Sequence, residues 1–558
     1  MALTWNARTY PLRRWFSAYR TITYQYIRPS TVATFATSVE RQSANRAITM
    51  PLLCAERSNG TCMYSTSSLF RILIFNESVQ LSERYLEFDL QQLLKLQRSL
   101  VRVPVITLGT RVLKCREGLN NKAYLLTMDN GSEVFAKLPN LIAGPAYYTT
   151  ASEVATREFL RDALNIPTPR IIAWSADRNN AVGAEYILEE KAPGKPLGSL
   201  WYQWDDIPED MCSDNAIITN VPLDSSVLER FKMGPLVSSG MWRGERAGMD
   251  MNRGPYNGPL EFIEAMATNE MQFIKTHARP RMNYHRSPTE PESPEEVLDL
   301  LDRYLQLAPA MVPPLGTDDT HSPTLWHPDL HLDNVFVDPE SKQITRIIDW
   351  QSAAVMPFFY QCGVPRMFRH PGIVADGWAL SELPEDYDSL DQNEKAKIDS
   401  DRKSETCHKY YEAETKTENP RHWAALQLDN ADVRTEPSRL VVNVWQDRDV
   451  FFLRRALLSI VEQWQDLCPE SDKCPVSFNE QELALHEAEE ESMSNVGEIL
   501  RLFRDKWGLP PNGMVDPTEF DQIRTAVAEL RNSFIEDADD EAERELFAKL
   551  WPYQDADI

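Results

Sequence analysis

The chain predicts an α+β protein in which a small antiparallel sheet precedes a larger, mainly helical lobe. Three observations carry that expectation. Between residues 111 and 138, three short strand-like runs are divided by turn residues, the second turn being Asp129-Asn130-Gly131. Several later segments repeat apolar residues at helical spacing. At 558 residues the chain can bury a large core and should hold more than one lobe.

The elements follow in order. Residues 1–39 hold no Asp or Glu, and residues 1–46 hold seven Arg against the single Glu40. Leu12, Trp15, Phe16, Tyr19, Ile22 and Tyr26 recur at helical spacing beside Arg13, Arg14 and Arg20. A basic, acid-free, amphipathic start on an acidic chain predicts a mitochondrial transit peptide over 1–46. Residues 47–100 read as a linker and helical arm, whose helix begins at Asp89 as N-cap and lines up Leu90, Leu93, Leu94 and Leu100. The small lobe, 101–194, holds strands at 111–114, 123–128 and 133–138, a helix at 151–164, and a strand running into a hinge at 184–194. The larger lobe, 195–430, holds helices at 259–277 and 294–307, an apolar segment at 356–359, and a charged stretch, 385–420, expected to be an exposed insertion. The helical region 431–558 carries amphipathic stretches at 450–467 and 483–507 and an acidic, solvated helix face at 536–545.

The densest chemistry lies at His327-Pro328-Asp329-Leu330-His331-Leu332-Asp333-Asn334, followed by Ile347-Ile348-Asp349-Trp350. Residues 335–337 and 344–348 read as two short strands joined by Asp338-Pro339-Glu340-Ser341. That hairpin would set Asn334 just before its first strand and Asp349 just after its second, both at one open end. Phosphoryl transfer from ATP needs this set: a carboxylate to orient the attacking hydroxyl and take its proton, and oxygen ligands to hold Mg²⁺ against the phosphates.

The region resembles the aminoglycoside-phosphotransferase-like small-molecule kinases, whose pattern is His-Gly-Asp-Leu-His-x-x-Asn and then Ile-Asp-Trp. Pro328 replaces the usual Gly. Protein kinases instead carry His-Arg-Asp, Asp-Phe-Gly and Ala-Pro-Glu; here Trp350 and Gln351 follow the second Asp, and no Ala-Pro-Glu lies downstream. The resemblance implies a two-lobed protein-kinase-like fold and assigns roles. Asp329 is the catalytic base, and Asn334 and Asp349 are the Mg²⁺ ligands. Lys137, in Val134-Phe135-Ala136-Lys137, steadies the ATP phosphates. Glu153 pairs with that lysine, with Glu158 on the same helix as the competitor. The turn 115–122, with Gly118 as its one glycine, covers the phosphates, and the hinge from Glu189 to Lys191 meets adenine. His327 braces the loop, and His331 is structural.

In order, Asn76-Glu77, Arg84-Tyr85-Leu86-Glu87-Phe88, Ala136-Lys137-Leu138-Pro139, Ser152-Glu153-Val154-Ala155-Thr156, Glu185-Tyr186-Ile187-Leu188-Glu189 and Trp326-His327-Pro328-Asp329 resemble a fungal branch of the family, the altered-inheritance-of-mitochondria type. Phe70-Arg71-Ile72-Leu73 departs from the Gly-Arg-Trp segment of that branch.

A net charge of −26 disfavours nucleic acid and anionic membranes as partners, since those need a basic face. No apolar run approaches membrane-spanning length. None of the eight cysteines forms Cys-x-x-Cys; Cys468 and Cys474 stand close enough to bridge but read as free thiols. Two readings of different class follow. One is an ATP- and Mg²⁺-dependent phosphotransferase acting on the hydroxyl of a small molecule in mitochondria. The other is a pseudokinase, a nucleotide-binding or protein-binding module without turnover, which the Gly-poor phosphate turn favours. Retention of every chemical group favours the first. The acidic run Asp205, Asp206, Glu209, Asp210 would suit a cationic acceptor or simply a solvated loop.

Overall fold

The computed structural model describes residues 82–100, 111–200, 230–507 and 519–553, apart from 116–117, 119, 129, 316–319, 375–376, 537 and 539, with strand pieces at Thr34–Ala36, Ile72–Leu73 and Met514–Val515. Those pieces aside, the targeting segment 1–46, the linker up to residue 81 and the run 205–210 lie outside the described residues.

The first lobe is a helix, α1 (Leu90–Leu100), against a sheet built from β1 (Arg111–Lys114), β2 (Asn121–Thr127), β3 (Glu133–Pro139), β4 (Ile171–Ser175) and β5 (Tyr186–Glu190), with α2 (Tyr148–Leu164) between β3 and β4. The strand order is β1-β2-β3-β5-β4, antiparallel throughout. Asp89 caps α1 as expected, its carboxylate accepting the Gln92 N–H at 3.0 Å. Strand alternation decides what each face carries. Val134, Ala136 and Leu138 of β3, with Tyr124 and Leu126 of β2, pack on Leu93 and Leu94 of α1. Lys137 therefore projects from the opposite face, into the cleft, with Ala123 and Ile187 as its cross-strand partners.

Two features here escape the sequence pattern. β4 follows a Pro-rich turn and is only half-buried along its length, so it lacks the alternation of a core strand. Helix α2 begins three residues earlier than expected. Its start is held by Glu185, whose carboxylate accepts the Tyr147 N–H at 3.2 Å and the Thr150 hydroxyl at 2.7 Å. Its end is Asn165, in the left-handed region at φ 53°.

The second lobe begins with β6 (Lys195–Pro196), entered through Gly194 at φ +88°, where a Cβ would collide with the Val337 carbonyl. Helices α3 (Pro259–His277) and α4 (Pro294–Met311) form its main core together with later helices. Ser293 caps α4, accepting the Glu296 N–H at 3.2 Å, and Pro294 opens it. Next come β7 (Pro323–Trp326), the hairpin β8 (Val335–Val337) and β9 (Ile344–Ile347), and β10 (Ala354–Pro357). β8 pairs with both β9 and β6, and β7 pairs with β10. Val335, Val337, Ile347 and Trp350 share a second core with Phe159 and Leu160 of α2, so the small-lobe helix rests on the hairpin of the large lobe.

The stretch 385–420 is exposed over its first half, as its charge predicts, but not over its second. It folds into α5 (Gln392–Glu418), whose second half packs Tyr410 and Tyr411 into the core beneath the hairpin. Its buried charges are paired: Glu405 accepts the Ser381 N–H at 3.0 Å, and Lys409 lies 3.6 Å from Glu405 and donates to the Gly377 carbonyl. Beyond it lie α6 (Pro420–Leu426), α7 (Ala431–Leu440), α8 (Val450–Glu462), α9 (Glu480–Trp507), α10 (Phe520–Glu536) and α11 (Glu541–Leu550). Cys468 and Cys474 are free thiols. Among the described residues, no helix is long and apolar enough to cross a membrane.

Candidate active site

The cleft between the sheet and the hairpin gathers the charged residues singled out in the sequence. Lys137 Nζ lies 2.9 Å and 3.0 Å from the two carboxylate oxygens of Glu153 and 2.8 Å from Asp349 Oδ1. Lys137 and Glu153 are both buried. Burial alone would lower the Lys137 ammonium, but the Asp349 and Glu153 carboxylates outweigh it and hold it above its ordinary range. The same lysine holds the Asp349 carboxyl below its ordinary range, against the opposing effect of burial.

The choice between Glu153 and Glu158 is settled by helix geometry. Five residues along a helix rotate a side chain by ~140°, so the two point to different faces. Glu158 instead pairs with Arg230 at 2.9 Å on the outer side. The surprise is Arg157, one turn beyond Glu153. It is almost fully buried and lies 3.5 Å from Glu153 and 2.5 Å from Glu189, and it donates to the Pro169 carbonyl at 3.0 Å. The result is an alternating ladder of Asp349, Lys137, Glu153, Arg157 and Glu189. Burial raises the Glu189 carboxyl above its usual range even beside Arg157.

Glu189 was expected at the hinge through its backbone. Its side chain is committed to this ladder, and its main chain sits opposite Phe135 and Ile171 within the sheet. Lys191, just past the strand, turns its ammonium to Glu133 at 2.6 Å on the exposed side, away from the cleft. Gly118 stands at the tip of the first turn, where a Cβ would meet open space.

Asp329 and Asn334 occupy the loop between β7 and β8. Asn334 Nδ2 donates to the Asp329 carbonyl at 2.9 Å, which fixes the amide and directs its Oδ1 away from that carbonyl. The Asp329 carboxylate is half-exposed, 3.6 Å from His331 Nε2 and 3.5 Å from Arg366. Asp349 follows β9 in the left-handed region at φ 61°, a conformation that Asp tolerates better than most residues. Trp350 behind it is fully buried and donates to the Ile347 carbonyl at 3.1 Å.

His327 does brace the loop. Its Nε2 donates to the Ile348 carbonyl at 2.9 Å, and its Nδ1 accepts the Asp329 N–H at 3.2 Å. Both nitrogens are used, which fixes the neutral tautomer. Burial lowers its pKa to about 4, despite the Ile348 bond and the nearby Asp349 and Asp329 carboxylates. The folded chain keeps this histidine neutral, so its contribution is full above pH about 6.5 and is lost as pH falls toward about 4, at a cost on the order of 3 kcal/mol. Urea midpoints measured from pH 7.5 to 4.5 should fall more steeply in the parent than in His327→Gln; parallel slopes would remove His327 from that role.

Sequence reasoning missed Arg157, Asn121 and Gln351, all of which touch the cleft residues or their neighbours. A signal existed for Arg157 alone: it lies four positions after Glu153, the spacing of a helical ion pair. Asn121 Nδ2 donates to Gln351 Oε1 at 2.6 Å across 230 positions of chain, which no local pattern encodes.

Comparison with known proteins shows what the chain is similar to. The Phosphotransferase enzyme family (APH) matches residues 111–364. A subtelomeric hrmA-associated cluster protein of Aspergillus fumigatus is 31% identical over 504 residues, covering 80% of this chain and 96% of that protein. The protein named "Altered inheritance of mitochondria protein 9, mitochondrial" of Yarrowia lipolytica is 21% identical over 467 residues, covering 74% of this chain and 78% of that one. Its namesake in Eremothecium gossypii is 23% identical over 436 residues, covering 66% and 69%. Both of those names place the relatives in mitochondria. Among solved structures, an aminoglycoside phosphotransferase of Streptomyces rimosus, in complex with ADP and streptomycin, aligns with a TM-score of 0.27 at 15% identity, over 67% of this chain and 99% of that one. The chain belongs to the phosphotransferase enzyme family, with its two-lobed kinase-like fold, and is related to the altered-inheritance-of-mitochondria proteins.

Proposed function

We propose that the protein is an ATP-dependent phosphotransferase that acts on a hydroxyl of a small molecule in mitochondria. The observation that carries this is Lys137, held between Glu153 and Asp349 with all three contacts at 2.8–3.0 Å. An ammonium so placed is aimed from the sheet toward the inner phosphates of a nucleotide in the cleft. Asp329, half-exposed at the cleft mouth, orients the acceptor hydroxyl and takes its proton during attack. The hinge backbone beyond Glu189, around Lys191, meets the adenine edge, and the turn at Gly118 closes over the phosphates.

The donor set suits Mg²⁺. Asn334 Oδ1 and the Asp349 carboxylate are hard oxygen ligands, and two protein ligands are what Mg²⁺ takes when phosphates and water complete its shell. Among the described residues no cluster of three or more His, Cys, Asp or Glu offers a competing all-protein cage. Bound there, the ion would neutralise charge on the phosphates.

Calorimetry with ATP in the presence and absence of Mg²⁺, together with a test for slow ATP turnover, separates the two readings. Binding with turnover is expected. Binding without turnover would support the pseudokinase reading, which the single glycine of the phosphate turn favours.

The mitochondrial address resides in residues 1–46, with their seven Arg and one acidic residue. Import machinery reads such a segment by its charge and apolar face. A tagged chain lacking residues 1–46 is expected to fold and remain in the cytosol, while the full chain enters mitochondria. Imaging both, and sequencing the mature N-terminus, checks this; import of the truncated form would overturn it.

A further inference from the structure

Among the polar bridges between the two lobes, two flank Asp349. One is the contact between Lys137 and Asp349. The other joins Asn121, the first residue of β2, to Gln351, two residues after Asp349. Asn121 lies two positions before Ala123, the cross-strand partner of Lys137. Residues two apart on a strand share a face, so Asn121 stands on the Lys137 side of the sheet, where the chain leaves the phosphate turn.

Gln351 is 7% exposed, and its Nε2 has no hydrogen-bond partner; Asn121 is half-buried, but its Oδ1 is shielded from solvent and unpartnered. Turning both amides over moves the free N–H from Gln351 to Asn121 and leaves the pair's inventory the same. The bond would then run from Gln351 to Asn121, and the pair would still present one unpaired donor and one unpaired acceptor. Buried amides are costly to leave in that state, so the site is built for something that completes it. The turn beside it has one glycine, Gly118. Glycine-rich turns grip phosphate by close backbone approach, and this turn is poorly equipped for that.

We propose that the Asn121–Gln351 pair is a phosphate latch: it closes the two lobes over Mg·ATP, and its free amide N–H donates to an oxygen of the terminal phosphate. In this arrangement Lys137 serves the inner phosphates, and Gln351, beyond Asp349, serves the outer end. The inference rests on the phosphotransferase reading and names the side chains that replace a glycine-rich grip.

The test is calorimetry with Mg·ATP and Mg·ADP on the parent, Gln351→Ala, Gln351→Glu and Asn121→Ser, with melting of the ligand-free proteins to confirm folding. Gln351→Ala should weaken Mg·ATP by about ten- to a hundredfold, the range for a hydrogen bond to a charged group, and Mg·ADP by far less. Gln351→Glu should lose more, because it sets a carboxylate against phosphate. Asn121→Ser keeps the question open should Gln351→Ala fail to fold, and should weaken Mg·ATP in the same sense. Proteolysis within residues 115–120 should be suppressed by Mg·ATP in the parent and less so in the variants. A parent that binds no Mg·ATP would overturn the phosphotransferase reading and the latch with it. A parent that binds, beside folded variants that bind equally well, would overturn the latch alone. Equal losses for Mg·ATP and Mg·ADP would overturn the assignment to the terminal phosphate.

Discussion

Asp329→Asn is expected to slow phosphoryl transfer by about 10²–10⁴-fold, the usual worth of a positioned general base, while Mg·ATP affinity stays nearly unchanged. The substitution is selective because of how Asp329 is held. Its backbone carries the structural load: its N–H meets His327 at 3.2 Å and its carbonyl meets Asn334 at 2.9 Å. An asparagine keeps both contacts. Among the described residues the carboxylate itself touches only His331 and Arg366, at 3.6 Å and 3.5 Å, and is half-exposed, so its loss costs little stability. What disappears is the capacity to take a proton. Single-turnover rates on the two proteins, with melting curves as control, check this. An unchanged rate in the folded variant would place the base elsewhere; His327 is a poor substitute, since both its nitrogens are already engaged.

The part of this site that was legible in the sequence is the part encoded locally. Asp329, Asn334 and Asp349 lie within 21 positions, on one hairpin whose short strands and turn follow from their own residues. Lys137 is placed by the family resemblance alone, since a lone strand lysine is ordinarily solvent-facing; only in the folded sheet does alternation send Ala136 to the core and the next residue into the cleft. The competition between Glu153 and Glu158 needed the helix to be in place, and then rotation alone decided it. Other features were out of reach for one shared reason. The Asn121–Gln351 bond, the Arg157–Glu189 pair and the Glu405–Lys409 network are polar groups buried against partners distant in sequence or against backbone. Residue by residue, such groups look like solvated surface. That is why the second half of α5 read as part of an exposed insertion and why Arg157 drew no notice. The helix α2 N-terminus is the same case, since its cap comes from Glu185, some 35 positions downstream of the first turn.

Asp349→Asn is expected to abolish the Mg²⁺ dependence of nucleotide binding. Asparagine is the informative choice. Position 349 has φ 61°, which Asn tolerates and Ala does not, so an alanine variant would confound lost charge with backbone strain. The asparagine keeps the shape and removes the charge. In the ligand-free protein the consequence is modest: Lys137 retains both carboxylate oxygens of Glu153, at 2.9 Å and 3.0 Å, and stays charged and in place. With Mg·ATP the consequence is large. Asn334 would be left as the main protein ligand, a neutral oxygen that competes poorly with water for a strongly hydrated cation. Replacing residues that merely support metal ligands costs 10–100-fold in affinity, so a direct anionic ligand should cost more than about a hundredfold. The measurement is a pair of calorimetric titrations, ATP with excess Mg²⁺ and ATP with chelator, on parent and variant. In the parent the two isotherms should differ widely; in the variant they should converge on the weak, metal-free affinity that Lys137 alone provides. A variant that still binds ATP far more tightly with Mg²⁺ than without would move the metal away from Asp349, and with it the assignment of the hairpin's open end as the phosphate side of the cleft.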